Sequence, residues 1–482
     1  MTPPEPISQP IETPPIIAAL PIEAPISAEA TRRSLQRRVL GLAWPVIGEN
    51  LLQTLLGVVD TILVAGLGVV ALAGVGAALQ VIFVIIAALS ALSVGAAVLV
   101  AQAFGAGDLA AASRFARQSL LWSVVFSVPL ALLGLRLTPA IVDLFGLQAD
   151  VAQIATGYLH VTIGTIVTLT TALIGGGVLR GIGDSRTPML ITALSNVLNV
   201  ALAYALIYGH FGLPALGAVG SAWATFLARL AGALLLVGVL WRGRNGVRIS
   251  GPGTWWPRPS VARQVLRVGL PAALEEVLII SAFATLTPVV ASLGTVALAG
   301  HRVVINVLSL SFLPGIGFGL AATALVGQAV GARRADEAYA ITRIALRWAI
   351  VWMGALGVGF LLFAPQIMYI FTSDQQMIAI GAAAIRVVAV AQPLWAATFV
   401  YAGALRGTGN TRTPLLISGV AVWAVVGLGY LALVLVQRSL AAIWAPFLLV
   451  GPLETACFWW IWRRWHRENA IQEEKAKPTN DP

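Results

Sequence analysis

The chain has 482 residues, of which 58% are apolar and 10% charged, with a formal net charge of +10 and a mean hydropathy of +0.88. Soluble domains carry about 25% charged residues, so these few charges cannot cover a water-facing surface of this size, and a soluble enzyme, a disordered chain and a fibrous one are excluded. At roughly 20 apolar residues per span the length holds about a dozen membrane helices, while the single cysteine, Cys457, and four scattered histidines make neither a disulfide framework nor a metal-ligand spacing.

Residues 1–38 open with eight prolines up to Pro25 and no base before Arg32. They read as a disordered cytoplasmic tail, and not as a signal peptide, because no basic start precedes an apolar run. Twelve apolar stretches follow. Six lie near 40–66, 71–103, 115–138, 150–178, 187–209 and 215–241. The other six lie near 266–292, 297–329, 341–364, 376–403, 413–436 and 441–463. They divide the chain into a first lobe (39–242), a cytoplasmic linker (243–265), a second lobe (266–465) and a short charged cytoplasmic tail (466–482).

The two lobes are copies. Pro45 and Pro271, Glu49 and Glu275, Gln102 and Gln328, and Pro139 and Pro365 all differ by 226. So do Leu179-Arg-Gly-Ile-Gly-Asp-Ser-Arg-Thr-Pro and Leu405-Arg-Gly-Thr-Gly-Asn-Thr-Arg-Thr-Pro, and no insertion interrupts the register between residues 45 and 416. Shared membrane-helix composition does not keep Glu, Gln, Arg and Pro in step. Six is an even number, so both halves enter the bilayer from the same side and the repeats are parallel. The fold class is therefore an all-α polytopic membrane protein of 12 transmembrane helices in two parallel six-helix repeats.

The 30 lysines and arginines fix the orientation. Only Arg136 and Arg438 fall on one side and only Arg229, Arg302 and Arg386 fall within spans; the rest gather at the other side. The positive-inside rule then puts both termini in the cytoplasm, in a cell inner (plasma) membrane. The positive charge is a topology signal, and nucleic acid is not an expected partner.

Acids inside a bilayer are costly and mark function. Glu49, Gln53 and Asp60 lie on the first span at spacings of four and seven, within about 40° of one face. Asp60 lies toward the outer half and Glu49 near the middle. Asp60 falls opposite Leu286 in the second repeat, and Asn196 and Asn199 fall opposite Val422 and Val425. A polar cluster kept in one half only reads as a dedicated ion site: Asp60, Glu49, Asn196 and Asn199 are the ion-coupling candidates, with Na⁺ at Asp60 as the one metal reading. Structural bonds between helices are the plainer alternative, above all for the two asparagines. Glu275 and Glu276 point about 100° apart, and Glu275, which has the repeat partner, is the better candidate for the cleft. With Glu276, Gln53 and the repeat pair Gln80 and Asn306 it makes up the substrate-cleft candidates. Arg229, Arg302 and Arg386 read as counter-ions or as side chains snorkelling to an edge. The glycine-rich turns at Gly105–Asp108 and Gly181–Asp184 lack the lysine of a phosphate loop and read as helix ends.

Taken together, Pro45 through Asp60-Thr61, Ala71-Leu72-Ala73-Gly74, Leu99-Val100-Ala101-Gln102, Arg180 through Pro188, Asn196 to Asn199 and their second-half echoes resemble the multidrug and toxic-compound extrusion (MATE) family over about residues 40–465. The resemblance implies two lobes around a central cleft. It also implies export of amphipathic, often cationic small molecules in exchange for H⁺ or Na⁺, with Asp60 at the position of the family's ion-coupling aspartate. Ala203 stands where some members have a second aspartate, and Ile279 where others have a glutamate. The sequence thus reads as an antiporter, not an enzyme, monomeric in its bilayer, with no cofactor beyond the coupling ion. Rival readings are a flippase for lipid-linked sugars and an exporter of an endogenous metabolite.

Overall fold

The computed structural model describes residues 28–251, 253–435 and 439–475. The proline-rich tail lies outside them up to residue 27, as do Arg438 and residues 476–482. The described residues form fourteen α-helices and no strand. The first half holds α1 (Ala28–Ala65), α2 (Val69–Gly105), α3 (Leu109–Asp143), α4 (Ala149–Gly164), α5 (Ile166–Gly181), α6 (Arg186–Tyr208) and α7 (Ala218–Arg242). The second holds α8 (Pro259–Ala291), α9 (Thr295–Gly331), α10 (Ala335–Tyr369), α11 (Gln375–Gly407), α12 (Arg412–Leu435), α13 (Leu440–Trp444) and α14 (Pro446–Lys475). Eleven helical stretches, with α13 and α14 counted together, are long and apolar enough to span a bilayer; α4 and α5, bent by 51°, make the twelfth. Residues 466–475, expected as tail, continue α14, and Glu473 accepts from the Ala335 amide at the start of α10.

The repeat extends to the turns. Gly68 and Gly294 end the first link of each half at φ 103° and 100°, and Gly183 and Gly409 the fourth at 85° and 86°. Between α2 and α3 the copies differ: Gly107 takes φ 76°, whereas its counterpart Arg333 takes 54°, a left-handed conformation that costs a side-chain-bearing residue roughly 1–2 kcal/mol.

The halves pack unequally. The second has one continuous apolar core, joined by Leu35, Val39, Leu42 and Ala43 of α1, while the first is divided into separate clusters, one toward the basic loops that takes in Val261 and Val265 of α8, and two farther away. The halves meet along α2 against α8 and α9, and α1 against α9 and α10. Contact is close because glycine faces backbone. A Cβ at Gly95 would fall on the Val265 carbonyl, one at Gly269 on the Ala91 carbonyl, one at Gly105 on the Gln328 carbonyl and one at Gly331 on the Gln102 carbonyl. Two side chains tie this seam reciprocally: Gln102 donates to the Gly407 carbonyl at 2.9 Å, and Gln328 to the Gly181 carbonyl at 2.8 Å. Donors and acceptors are both related by the repeat. Arg38 of α1 adds an ion pair to Glu337 of α10 at 2.6 Å.

All of these contacts lie toward the basic end. Toward the far end the same faces of α2 and α9 are exposed, as Gly76, Gln80, Phe83 and Val84 on one and Arg302, Asn306, Ser309 and Leu310 on the other. At 100° per residue, Gln80 is in line with Val98 and within about 20° of Ala91, both of them seam residues. The two lobes therefore close on the basic side and part on the far side, leaving a central cleft.

Candidate functional site

Inside the first lobe, polar side chains from four helices converge near the far end. Asp60 of α1 accepts from the Ser221 hydroxyl of α7 at 2.6 Å. Tyr158 of α4, only 3% exposed, and Arg229 of α7 both lie within electrostatic reach of the Asp60 carboxylate. Asn199 of α6 donates to Thr225 of α7 at 3.0 Å. Ser221, Thr225 and Arg229 follow one another at intervals of four, so a single face of α7 serves the whole cluster. Asn196 donates to the Leu52 carbonyl at 2.7 Å and ties α6 to α1 one turn deeper.

The repeat shows how unequal the lobes are here. Asp60, Tyr158, Asn199, Ser221, Thr225 and Arg229 fall opposite Leu286, Ala384, Val425, Phe447, Gly451 and Thr455. Leu286, Ala384, Val425 and Phe447 are all buried. The second lobe fills with apolar side chains the space that the first lobe lines with hydrogen-bonding ones.

Glu49 belongs to a different arrangement. It pairs with Arg180 at 3.0 Å, and its repeat partner Glu275 pairs with Arg406 at 2.8 Å. Both pairs join the first helix of a lobe to the last turn of its fourth span. Glu275 is 2% exposed. The expectation that it lines the cleft is therefore corrected: its ion pair draws it into the second lobe. Its neighbour Glu276 is exposed. Glu276 lies seven residues beyond Gly269, within about 20° of the face by which α8 meets α2, so it stands just above the closed seam. Glu454, unassigned from sequence, accepts from Ser418 at 3.1 Å. Gln53, Gln80 and Asn306 are exposed, with no hydrogen-bond partner among the described residues. The described residues contain no group of three His, Cys, Asp or Glu that could hold a metal ion.

Sequence reasoning missed Ser221, Tyr158 and Thr225, because it compared only acids and amides across the repeat. The same comparison applied to hydroxyls isolates all three. It also missed Arg180 and Arg406, which sit within the turn motif, although the offset keeps them in step with their glutamates.

At the ends of the spans the chemistry is structural. Asp184 accepts from the Thr187 amide at 3.0 Å and the Thr187 hydroxyl at 2.7 Å, and pairs with Arg244 at 2.7 Å. Partial burial pushes its carboxyl up, but those hydrogen bonds and the Arg244 charge outweigh burial and hold it below the ordinary carboxylate range.

Comparison with known proteins agrees with this architecture. The family model MatE matches twice, at residues 45–205 and 271–431, two segments in the same 226-residue register. The probable multidrug resistance protein NorM of Thermotoga maritima is 32% identical over 453 residues, covering 92% of this chain and 96% of that protein. A second NorM, from Rhizobium meliloti, is 28% identical over 398 residues, covering 81% of this chain and 84% of that one. Among solved structures, a MOP superfamily transporter from Pyrococcus furiosus, described for the reverse polarity of its binding pocket, superposes with a TM-score of 0.84 at 25% identity, over 90% of this chain and 97% of that one. An outward-facing multidrug resistance MATE transporter superposes with a TM-score of 0.83 at 25% identity, over 92% of this chain and 97% of the other.

Proposed function

This chain belongs to the MatE family of multidrug efflux transporters, and on that footing we propose that it is a secondary antiporter. It exports amphipathic small molecules in exchange for H⁺ or Na⁺ by alternating access. The basic end faces the cytoplasm of an inner (plasma) membrane, and the observed arrangement is the outward-open state. The observation that carries the reading is the isolated polar cluster around Asp60, present in one lobe and apolar in the other.

Asp60 is the coupling carboxylate. Neutralising it, by a proton or a bound Na⁺, changes the electrostatics of a pocket shared by α1, α4, α6 and α7. Ser221 and Tyr158 orient the carboxylate, and Asn199 with Thr225 braces α6 against α7. A ligand shifts a two-state equilibrium only through its differential affinity for the states. A tenfold difference corresponds to about 1.4 kcal/mol, which one buried charge readily supplies. Glu276 in the cleft suits substrates that carry a protonated amine. The substrates, the coupling ion and the surrounding lipid are the partners required, and one copy of the chain contains both lobes.

The test uses proteoliposomes with separately imposed pH and sodium gradients and a panel of cationic and neutral dyes. Asp60→Asn is expected to abolish gradient-driven efflux while leaving the thermal unfolding midpoint close to wild type. Undiminished efflux by that variant would end the mechanism.

A further inference from the structure

The cleft carries charges of both signs. Arg302 is exposed on the face of α9 that continues the lobe–lobe seam, and within about 60° of Gly317, whose Cα packs against α1. It has no hydrogen-bond or carboxylate partner among the described residues. Glu276 is exposed on the seam face of α8. Its neighbour Glu275 takes the bond from Arg406, and the Arg406 charge also reaches Glu276, so two glutamates share one arginine and a net negative charge is left on this face. Asp60 lies inside the first lobe, held by Ser221, and does not cancel either charge across the cleft.

Helix geometry gives the spacing. The ends of α8 and α9 meet at the far side through Ser292–Gly294. Arg302 lies seven residues into α9 and Glu276 fifteen residues before the end of α8, so at 1.5 Å per residue the two are about 12 Å apart in depth. Arg302 stands nearer the mouth and Glu276 nearer the floor. Between them the facing stripes offer Gln80 and Asn306 as hydrogen-bonding groups, and Phe83, Val84 and Leu310 as apolar surface.

An unpaired guanidinium above an apolar strip and a net negative charge at Glu276 below it match a molecule with the opposite polarity. We propose that the cleft selects zwitterionic amphiphiles, holding an acidic group of the substrate at Arg302 and a protonated amine at Glu276. The inference rests on the efflux reading for its biological sense, but it concerns binding and is testable without transport. A purely cationic compound finds Glu276 and is repelled by Arg302 on its way in; a purely anionic one meets the reverse. A zwitterion satisfies both and brings no net charge into a low-dielectric cleft, where an unpaired charge is expensive. Arg302 is thus the residue that discriminates between an acid and its ester.

The experiment measures equilibrium binding to the purified full-length protein in detergent by fluorescence polarisation. The probes are a rhodamine bearing a free carboxylate and the same dye as its ethyl ester. Wild type is expected to bind the acid at least tenfold more tightly than the ester. Arg302→Gln should remove that preference by weakening acid binding alone, Arg302→Lys should retain most of it, and Glu276→Gln should weaken both dyes. Wild type binding the ester as well as the acid overturns the proposal without recourse to any variant. So does an unchanged acid-to-ester ratio in a folded Arg302→Gln protein. Gradient-driven efflux of the two dyes from proteoliposomes separates the two readings: efflux without acid preference sinks the zwitterion site and leaves the antiporter, whereas acid-selective binding without efflux does the opposite.

Discussion

Asp184 shows what a carboxylate does in this molecule when it is not part of the transport machinery. It ties the first turn of α6 to the loop after α7 through Thr187 and Arg244. Because its folded carboxyl is held below the ordinary range, its contribution is fully present above about pH 4, the unfolded value, and is lost as the pH falls through the lower folded value. The thermal midpoint of wild type is therefore expected to exceed that of Asp184→Asn at neutral pH, and the gap to close on acidification below about pH 4. A gap that stays constant to pH 2 would contradict this. The paired acids behave differently. Glu275 is buried with one oxygen on Arg406 and the other without a protein partner. Removing Arg406 alone leaves a buried charge uncompensated, a loss of roughly 3–5 kcal/mol, whereas replacing both residues by leucine comes near to neutral. At this scale the sequence was partly readable. The offset of 226 singled out Asp60 and Asn199, whose counterparts are apolar. It could not say that Glu49 is neutralised by Arg180, because that pairing depends on how deeply the last turn of α5 reaches beside α1.

The helices were legible as elements because each is a long apolar run closed by glycine or proline, and their number and register followed from the repeat. What escaped was the use each face is put to. Apolar runs in lipid show little periodicity, so the seam faces of α2 and α9 look no different in sequence from those facing acyl chains. Only the packing of Gly105 and Gly331 against backbone carbonyls fixes which side of each helix meets the other lobe. That packing in turn brings Gln102 and Gln328 onto the carbonyls of Gly407 and Gly181. These bonds hold the basic end shut without any ion. Each is worth about 1 kcal/mol, or roughly a fivefold shift in population. Gln102→Ala with Gln328→Ala is expected to raise the fraction of molecules open at the basic end. Distance distributions between spin labels placed on the α2–α3 and α9–α10 turns, in a Cys457→Ser background, would report it as a longer component. No change in the distribution would deny the glutamines a gating role.

At the scale of the molecule, two halves of common origin have taken on separate duties. The second packs one large apolar core and places Glu276 and Arg302 on the seam faces of α8 and α9; the first sets the polar cluster around Asp60 among smaller apolar clusters. Orientation is the claim that belongs here. With both termini and the basic loops in the cytoplasm, a thiol introduced at Asn245 is expected to resist a membrane-impermeant reagent in intact cells. One introduced at Phe211, exposed on the turn between α6 and α7, should react. The reverse pattern would invert the protein in its membrane and turn efflux into uptake. The overall plan was readable from the chain because duplication writes itself twice. The division of labour was readable only where the copies disagree. The reciprocal glutamines carry one more implication. Because they straddle the pseudo-twofold axis, a rocking movement of one lobe on the other stretches both together, and neither can serve as a pivot that spares its twin. The doorway on that side is thus expected to unlatch in one step, both bolts drawn together.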